Sequence, residues 1–239
     1  MGTTALIVAA GKGQRTRQDI PKQFINVYDK PIVIYTLENF QKHPEVENIV
    51  VVCLDGWQDI LRAYARQYNI TKLKKIVNGG NSVQESLRNG VFALEDICIE
   101  DDIVIIHDGI RPLIEEAVLS DVIATCRQYG NGVTSLPYNE QIFKRTDEIS
   151  TREYIPRETL RRVQTPQAYR FGKLHRAYKT AFEKEIGIYG SSYTNTMMVD
   201  LGETLYFAVG SERNIKITTV EDIDLFKAFL SLKRDSWLK

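Results

Sequence analysis

Cysteine is scarce in this chain of 239 residues: Cys53, Cys98 and Cys126 lie far apart, with no CxxC pair. An odd, scattered set excludes a disulfide framework and a thiolate zinc site, and predicts reduced thiols. The three histidines are equally dispersed, so no histidine-based metal cluster is visible. Neither sign of charge is in excess, because 31 Lys and Arg stand against 31 Asp and Glu. That balance argues against nucleic acid or a membrane surface as the partner, since both demand a basic surplus. No stretch reaches the roughly 18 apolar residues needed to cross a bilayer. The apolar run at residues 5–10 lacks the basic flank and the length of a signal peptide. These absences predict a soluble, cytoplasmic protein.

What is present is a full complement of core-forming residues, 43% apolar against 26% charged. The length predicts one domain over residues 1–239. The dominant rhythm is a short apolar strand, a turn and an amphipathic helix, repeated. Strands are predicted at residues 5–9, 48–53, 76–77, 102–106, 132–136 and 204–209. Helices are predicted after Pro31, with Ile34, Leu37 and Phe40 on one face, and at 57–68, 118–126 and 219–232. A further helix is predicted behind Asn81 as its cap, with Val83, Leu87, Val91 and Leu94 as its stripe. Thr219 and Asp222 form a capping-box-like start for the last helix. Alternation of this kind predicts an α/β fold, Rossmann-like, with a mostly parallel sheet and helices on both faces. Ligands of such folds sit outside the carboxyl ends of the strands.

Residues 139–162 break the rhythm. This polar segment reads either as a solvent-exposed hairpin or as an arm that pairs with a second subunit.

Four stretches could carry chemistry. The first strand runs into Ala9, Ala10, Gly11, Lys12, Gly13, Gln14 and Arg15. Glycines at a strand exit let the backbone approach a phosphate. The third glycine of a dinucleotide fingerprint would fall at Thr16, and no GK[ST] closes a P-loop. The turn is therefore either an ordinary βα connection or a cradle for a triphosphate, with Arg15 and Lys22 neutralising its charge. Next, His107, Asp108, Gly109, Ile110, Arg111 and Pro112 follow the most apolar strand. Asp108 could hold a metal or a sugar hydroxyl and Arg111 a phosphate, or the two could simply close a turn as an ion pair. His107 reads as a packed, hydrogen-bonded side chain rather than a catalyst. Residues 157–167 read as a basic segment ending in a proline-restricted bend. Residues 211–218 add one more cation, Lys216.

Taken jointly, Ala-Ala-Gly-x-Gly-x-Arg, Pro-Lys-Gln, Gly-Gly, His-Asp-x-x-Arg-Pro, Gln-Thr-Pro-Gln and Asn-Ile-Lys-Ile-Thr resemble the cytidylyltransferases of polyol phosphates. That family includes the methylerythritol phosphate (IspD-type) and ribitol 5-phosphate (TarI-type) enzymes. The resemblance spans residues 6 to about 229. It implies a nucleotide-diphospho-sugar transferase type of fold with a protruding β-arm. It also implies transfer of CMP from CTP to a phosphorylated polyol, with Mg²⁺ or a similar divalent ion bound with CTP and metal ligands left unassigned. Within it, Arg15, Lys22 and Lys216 are the implied catalytic residues. Ala9, Ala10, Gly11, Gly13, Gly79, Gly80, Ser86 and Asp108 are the implied nucleotide contacts. Asp108, Arg111, Gln141, Arg157, Thr165 and Lys216 are the implied acceptor contacts. Members are homodimers whose arms complete the neighbour's site, which allows Arg157 to act in trans.

Three positions depart from the methylerythritol pattern. Glu140 and Gln141 stand for Asp-Thr in the arm, Asn195 and Thr196 stand within a usual Thr-Asp-Asp, and Val83 replaces an Arg. The arm pair sits where the family recognises its polyol. The departures at Glu140, Gln141 and Asn195 favour an alditol phosphate such as ribitol 5-phosphate, destined for a surface polymer, over the isoprenoid precursor. A nicotinamide dehydrogenase rests on the glycine turn alone, and a catalytically silent nucleotide binder is opposed by the intact cations.

Overall fold

The computed structural model describes residues 1–11, 20–190 and 192–232. A seven-stranded sheet forms its centre. Strand β1 (Thr3–Ala9) is central because its apolar residues are shielded on both faces, with Ala5, Leu6 and Ile7 wholly buried. Burial of one such Leu or Ile side chain contributes about 1.5–3 kcal/mol. The short β2 (Asn26–Val27) and β3 (Lys30–Pro31) form a separate two-stranded ribbon. Helix α1 (Ile32–Lys42) begins directly after Pro31, as predicted, and ends at His43. It leads to β4 (Asn48–Cys53), α2 (Gln58–Gln67) and β5 (Leu73–Asn78). Helix α3 (Val83–Phe92), β6 (Ile103–Asp108), α4 (Glu116–Tyr129) and β7 (Asn131–Pro137) continue the alternation.

The sheet order, with two strands still to be introduced between and beyond these, places β6 and β4 on opposite sides of β1 and β5 outside β4. All of these pairs are parallel. The chain thus winds outward from β1 to β5 and then returns to the other side of β1. The resulting switch point between β1 and β6 opens a crevice at the strands' carboxyl ends.

Residues 139–159 stand off the sheet. Apart from half-buried Ile142, every one of them is exposed. They contain a hairpin of β8 (Ile142–Lys144) and β9 (Glu153–Ile155). Its tip is closed by Asp147, whose carboxylate accepts the Ile149 and Ser150 N–H groups at 2.9 and 2.8 Å.

The segment read as a bend is a strand, β10 (Arg161–Arg170), and this corrects the expectation. It runs antiparallel between β6 and β7. Its pairing with β7 slips between Val163 and Gln167, where the Thr165–Pro166 peptide is cis. Because β10 is antiparallel, its irregular first half lies at the same edge of the sheet as the carboxyl end of β6.

Helices α5 (Phe171–Lys184) and α6 (Thr194–Asp200), strand β11 (Phe207–Val209) beside β7, and helix α7 (Val220–Leu232) complete the fold. Among the predicted strands, the one at 76–77 lengthens to Leu73–Asn78 and the one at 204–209 shrinks to Phe207–Val209, while those at 5–9, 102–106 and 132–136 shift by one or two residues at an end. The cap of α3 is Ser82 rather than Asn81, because the Ser82 hydroxyl accepts the Glu85 N–H at 3.0 Å. At α7 the anticipated box forms. Thr219 N–H donates to the Asp222 carboxylate at 2.8 Å, and Asp222 N–H to the Thr219 hydroxyl at 3.3 Å.

Two hydrophobic layers sandwich the sheet. One holds α1, α2 and α4 with Ile7, Val51 and Ile105. The other holds α3 and α5 with Leu6, Val50 and Val104. All three cysteines are free and buried. No described helix is long and apolar enough to cross a membrane.

Candidate active site

Three strand ends build the site. At the end of β1, Ala9, Ala10 and Gly11 turn away from the sheet, and Gly13 and Arg15 lie outside the described residues. The turn is held from beneath by Gln23, a buried residue of the predicted Pro-Lys-Gln motif. Its Nε2 donates to the carbonyls of Ala9 and Gly11 at 2.9 and 3.1 Å. Lys22, its neighbour in a short 3₁₀ turn (Lys22–Phe24), is buried at 8% exposure. Phe24 stacks on Trp57 at 4.6 Å and fixes that turn against the loop beyond β4.

At the end of β5, Gly79 and Gly80 sit against the same turn. A Cβ on Gly79 would come within 2.5 Å of Ala10 Cβ, so the two loops can meet only with glycine there. Gly80 N–H donates to the Ser86 hydroxyl at 2.9 Å, and that hydroxyl donates to Ser82 O at 2.8 Å. Ser86, implied as a nucleotide contact, therefore orders the glycine loop. Ala10, Gly79 and Gly80 line an open cleft of about 510 Å³ with Asp55, Asn81 and Arg88.

At the end of β6 lies the densest group of charges. Asp108 Oδ2 accepts from Arg111 Nε at 3.1 Å and from Lys216 Nζ at 3.0 Å. Burial would raise the Asp108 carboxyl, but Lys216 and then Arg111 outweigh it and hold it below the ordinary carboxylate range. Two cations against one carboxylate leave positive charge in excess, suited to a phosphate. The ion-pair reading and the phosphate reading are thus compatible, because both pairs fall on a single oxygen. Asp108 N–H donates to Thr165 Oγ1 at 3.1 Å, which brings Thr165 of β10 to this edge. Arg111 Nη1 donates to Asn214 O at 2.7 Å.

His107 points to the opposite face. It is fully buried, packs against Phe40 at 5.1 Å and donates from Nε2 to Arg111 O at 3.1 Å. Burial lowers its pKa to about 4, so it is neutral and structural, as its sequence context predicts.

Asp108, Arg111, Thr165 and Lys216 line one cleft of about 260 Å³. Its far wall comes from the start of α6, Tyr193, Thr194 and Asn195, and its floor from Val8, Val83, Leu87, Ile106 and Val163. Thr194 and Tyr193 carried no role in the sequence reading. The Thr194 hydroxyl shares a 2.7 Å hydrogen bond with the buried Tyr178 hydroxyl, a contact across 16 residues that no local pattern announces.

Two implied acceptor contacts do not join this cleft within one chain. Gln141 is exposed at the base of the hairpin. Arg157 is exposed too, donating to Asn139 O at 3.2 Å and pairing with Glu158 at 3.5 Å. Among the described residues no group of three His, Cys, Asp or Glu side chains could cage a metal. Among the described residues, Asp108 is the one carboxylate lining the Lys216 cleft. It is therefore the residue of this cleft that could touch a divalent ion carried on phosphates and water.

Known proteins resemble this chain over nearly its whole length. Residues 3–232 match the family described as 2-C-methyl-D-erythritol 4-phosphate cytidylyltransferase, IspD. The chain is 57% identical over 230 residues to a ribitol-5-phosphate cytidylyltransferase of Lacticaseibacillus paracasei, covering 96% of this chain and 98% of that one. It is 33% identical to a 2-C-methyl-D-erythritol 4-phosphate cytidylyltransferase of Alkaliphilus metalliredigens, over 97% of this chain and 94% of the other. In fold it is similar to the crystal structure of 4-diphosphocytidyl-2C-methyl-D-erythritol synthase from Anaerococcus prevotii. The TM-score there is 0.82 at 24% identity, with 96% of each chain covered.

Proposed function

Because this chain belongs to the IspD family of cytidylyltransferases, we propose that it transfers CMP from CTP to ribitol 5-phosphate, giving CDP-ribitol and pyrophosphate. The observation that carries the reading is the Asp108–Arg111–Lys216 cluster, set beside the glycine turn across the switch point. The choice of acceptor is supported by the ribitol-5-phosphate cytidylyltransferase that shares 57% of its residues. The same activity would supply an activated alditol for a surface polymer and would place the protein in the cytoplasm.

The reaction needs no protein nucleophile. A phosphate oxygen of the acceptor attacks the α-phosphorus of CTP in line, one P–O bond forms, and the bond to the departing pyrophosphate breaks. Lys216 and Arg111 hold the attacking phosphate, and Asp108 keeps both cations aimed by sharing one oxygen between them. Lys22 and Arg15 lie beside the glycine turn in the sequence and neutralise charge that develops on the triphosphate. Main-chain N–H groups from Ala9 to Gly13 cradle the phosphates, and the loop of Gly79 and Gly80 carries the base and ribose. Asp108 would be the carboxylate in reach of a divalent ion such as Mg²⁺ bound with CTP, and that ion would supply further charge neutralisation.

The hairpin around β8 and β9 is the surface for a homodimer. Its side chains Phe143 and Tyr154 are 62% and 66% exposed, more apolar surface than a lone hairpin would carry into solvent. From a second subunit, Gln141 and Arg157 reach the neighbour's cleft.

Pyrophosphate release with CTP and Mg²⁺ tests the reaction over ribitol 5-phosphate, glycerol 3-phosphate and 2-C-methyl-D-erythritol 4-phosphate. The expected result is a kcat/KM for ribitol 5-phosphate at least about tenfold above the others, a difference of about 1.4 kcal/mol in the transition state. Preference for methylerythritol phosphate would reverse the choice of acceptor.

A further inference from the structure

Asn214 lies two residues before Lys216 and has no solvent exposure. Its Nδ2 donates to Thr165 O at 2.7 Å and to Gln164 Oε1 at 3.4 Å. Its main-chain carbonyl accepts from Arg111 Nη1 at 2.7 Å. Thr165 in turn takes the Asp108 N–H on its hydroxyl. One residue therefore joins the Lys216 loop, the irregular step of β10 and the cation at the end of β6. Only an N–H donor satisfies the Thr165 carbonyl, which fixes the orientation of the amide. The other end of that amide, Oδ1, is buried with no partner among the described residues. An unpaired buried carbonyl is a cost that a residue chosen for stability alone avoids.

We infer that Asn214 is a positioning residue, which sets where Lys216 and Arg111 hold the acceptor's phosphate. The inference rests on the transfer reaction above and deepens it. Asn214 touches no substrate, so its effect passes through the two cations. Lys216 follows it in the same loop, whose next residue is tied to the turn beyond β6 by Ile217 N–H donating to Ile110 O at 2.9 Å. Releasing the loop from Thr165 while that tie remains lets Lys216 pivot. Misplacement of a positioning group by about 1 Å can cost about a hundredfold in rate.

The test uses Asn214→Ser and Asn214→Asp in the full chain, each also combined with Lys216→Ala. Aspartate keeps the shape and replaces the donor with an acceptor facing the Thr165 carbonyl. Both single variants are expected to raise KM for ribitol 5-phosphate by about tenfold or more, with KM for CTP within about twofold of wild type. In the Lys216→Ala background, Asn214→Ser is expected to cost at least about threefold less than it does in wild type, because only Arg111 is left for it to position. Fully additive losses, or parallel rises in both KM values, would overturn the assignment. So would insolubility of both variants, which would make Asn214 a residue that the whole fold depends on. Should wild type use methylerythritol phosphate instead, only the acceptor assignment fails, and the same cycle is read on that phosphate. Turnover of neither acceptor would sink the transfer reading itself and this inference with it.

Discussion

Asp108 and His107 are consecutive in β6 and face opposite sides of the sheet, so one strand end presents a charge to the cleft and a neutral ring to the core. The two respond to acid differently. Asp108 is already ionised because Lys216 and Arg111 outweigh the effect of its burial. His107 is kept neutral by burial, at about 4 instead of the ordinary 6.5. The unfolded chain therefore binds a proton at His107 from pH 6.5 downward while the folded chain does not. Stability conferred by neutral His107 is complete above pH 6.5 and is lost as the pH falls toward 4. The loss amounts to about 3 kcal/mol over that window. Urea midpoints of wild type and His107→Gln, measured from pH 7 to 4, should converge as the pH drops. Parallel curves would show that His107 carries no such linkage.

Among the elements, α3 shows how close the packing must be for the site to form. Its Gly90 faces the sheet, and a Cβ there would meet Val52 Cγ2 at 2.6 Å and Leu6 Cδ1 at 2.8 Å. Alanine normally improves a helix over glycine by about 1 kcal/mol. Overpacking against the wholly buried Leu6 and Val52 costs about 1–3 kcal/mol and acts the other way. Gly90→Ala is expected to lower stability by up to about 2 kcal/mol in chemical denaturation. A stabilised variant would mean that the helix can lift without cost.

The elements also differ in how plainly the sequence declares them. Strands β1, β4 and β6 are continuous apolar runs because both their faces are covered, and they were legible for that reason. Strand β10 was not. Its first residues, Arg161 and Arg162, are exposed, and its Thr165–Pro166 step mimics the end of a segment. The return of β6 to the far side of β1 is a matter of connection that no periodicity encodes. In the site, Asp108, Arg111, Thr165 and Lys216 were reached through their motifs and do share a cleft. Gln23 and Asn214 stood inside those motifs without a role. Their hydrogen bonds span 14 and 49 residues, so only the folded chain reveals them.

At the scale of the whole molecule, a single chain separates Arg157 from the cleft it is proposed to serve. The proposed dimer would resolve this, with each hairpin reaching across. Mixing Arg157→Ala subunits with Lys216→Ala subunits, under proven exchange, should form hybrids that carry one intact site. Random pairing predicts recovery of about a quarter of wild-type activity. No recovery would place Arg157 outside the neighbouring site.

The hairpin leaves and rejoins the sheet at one place: Pro137 at the end of β7 pairs directly with Arg161 at the start of β10. Facing residues of an antiparallel pair lie only about 5 Å apart. Everything between them is therefore a cassette plugged into a socket that the sheet itself keeps closed. Its length and composition can drift through insertion, deletion or exchange while β7 and β10 remain in register, because long surface loops close at little extra entropic cost. A lineage can thus rewrite one detachable segment and leave the sheet, with the cleft at its strand ends, untouched.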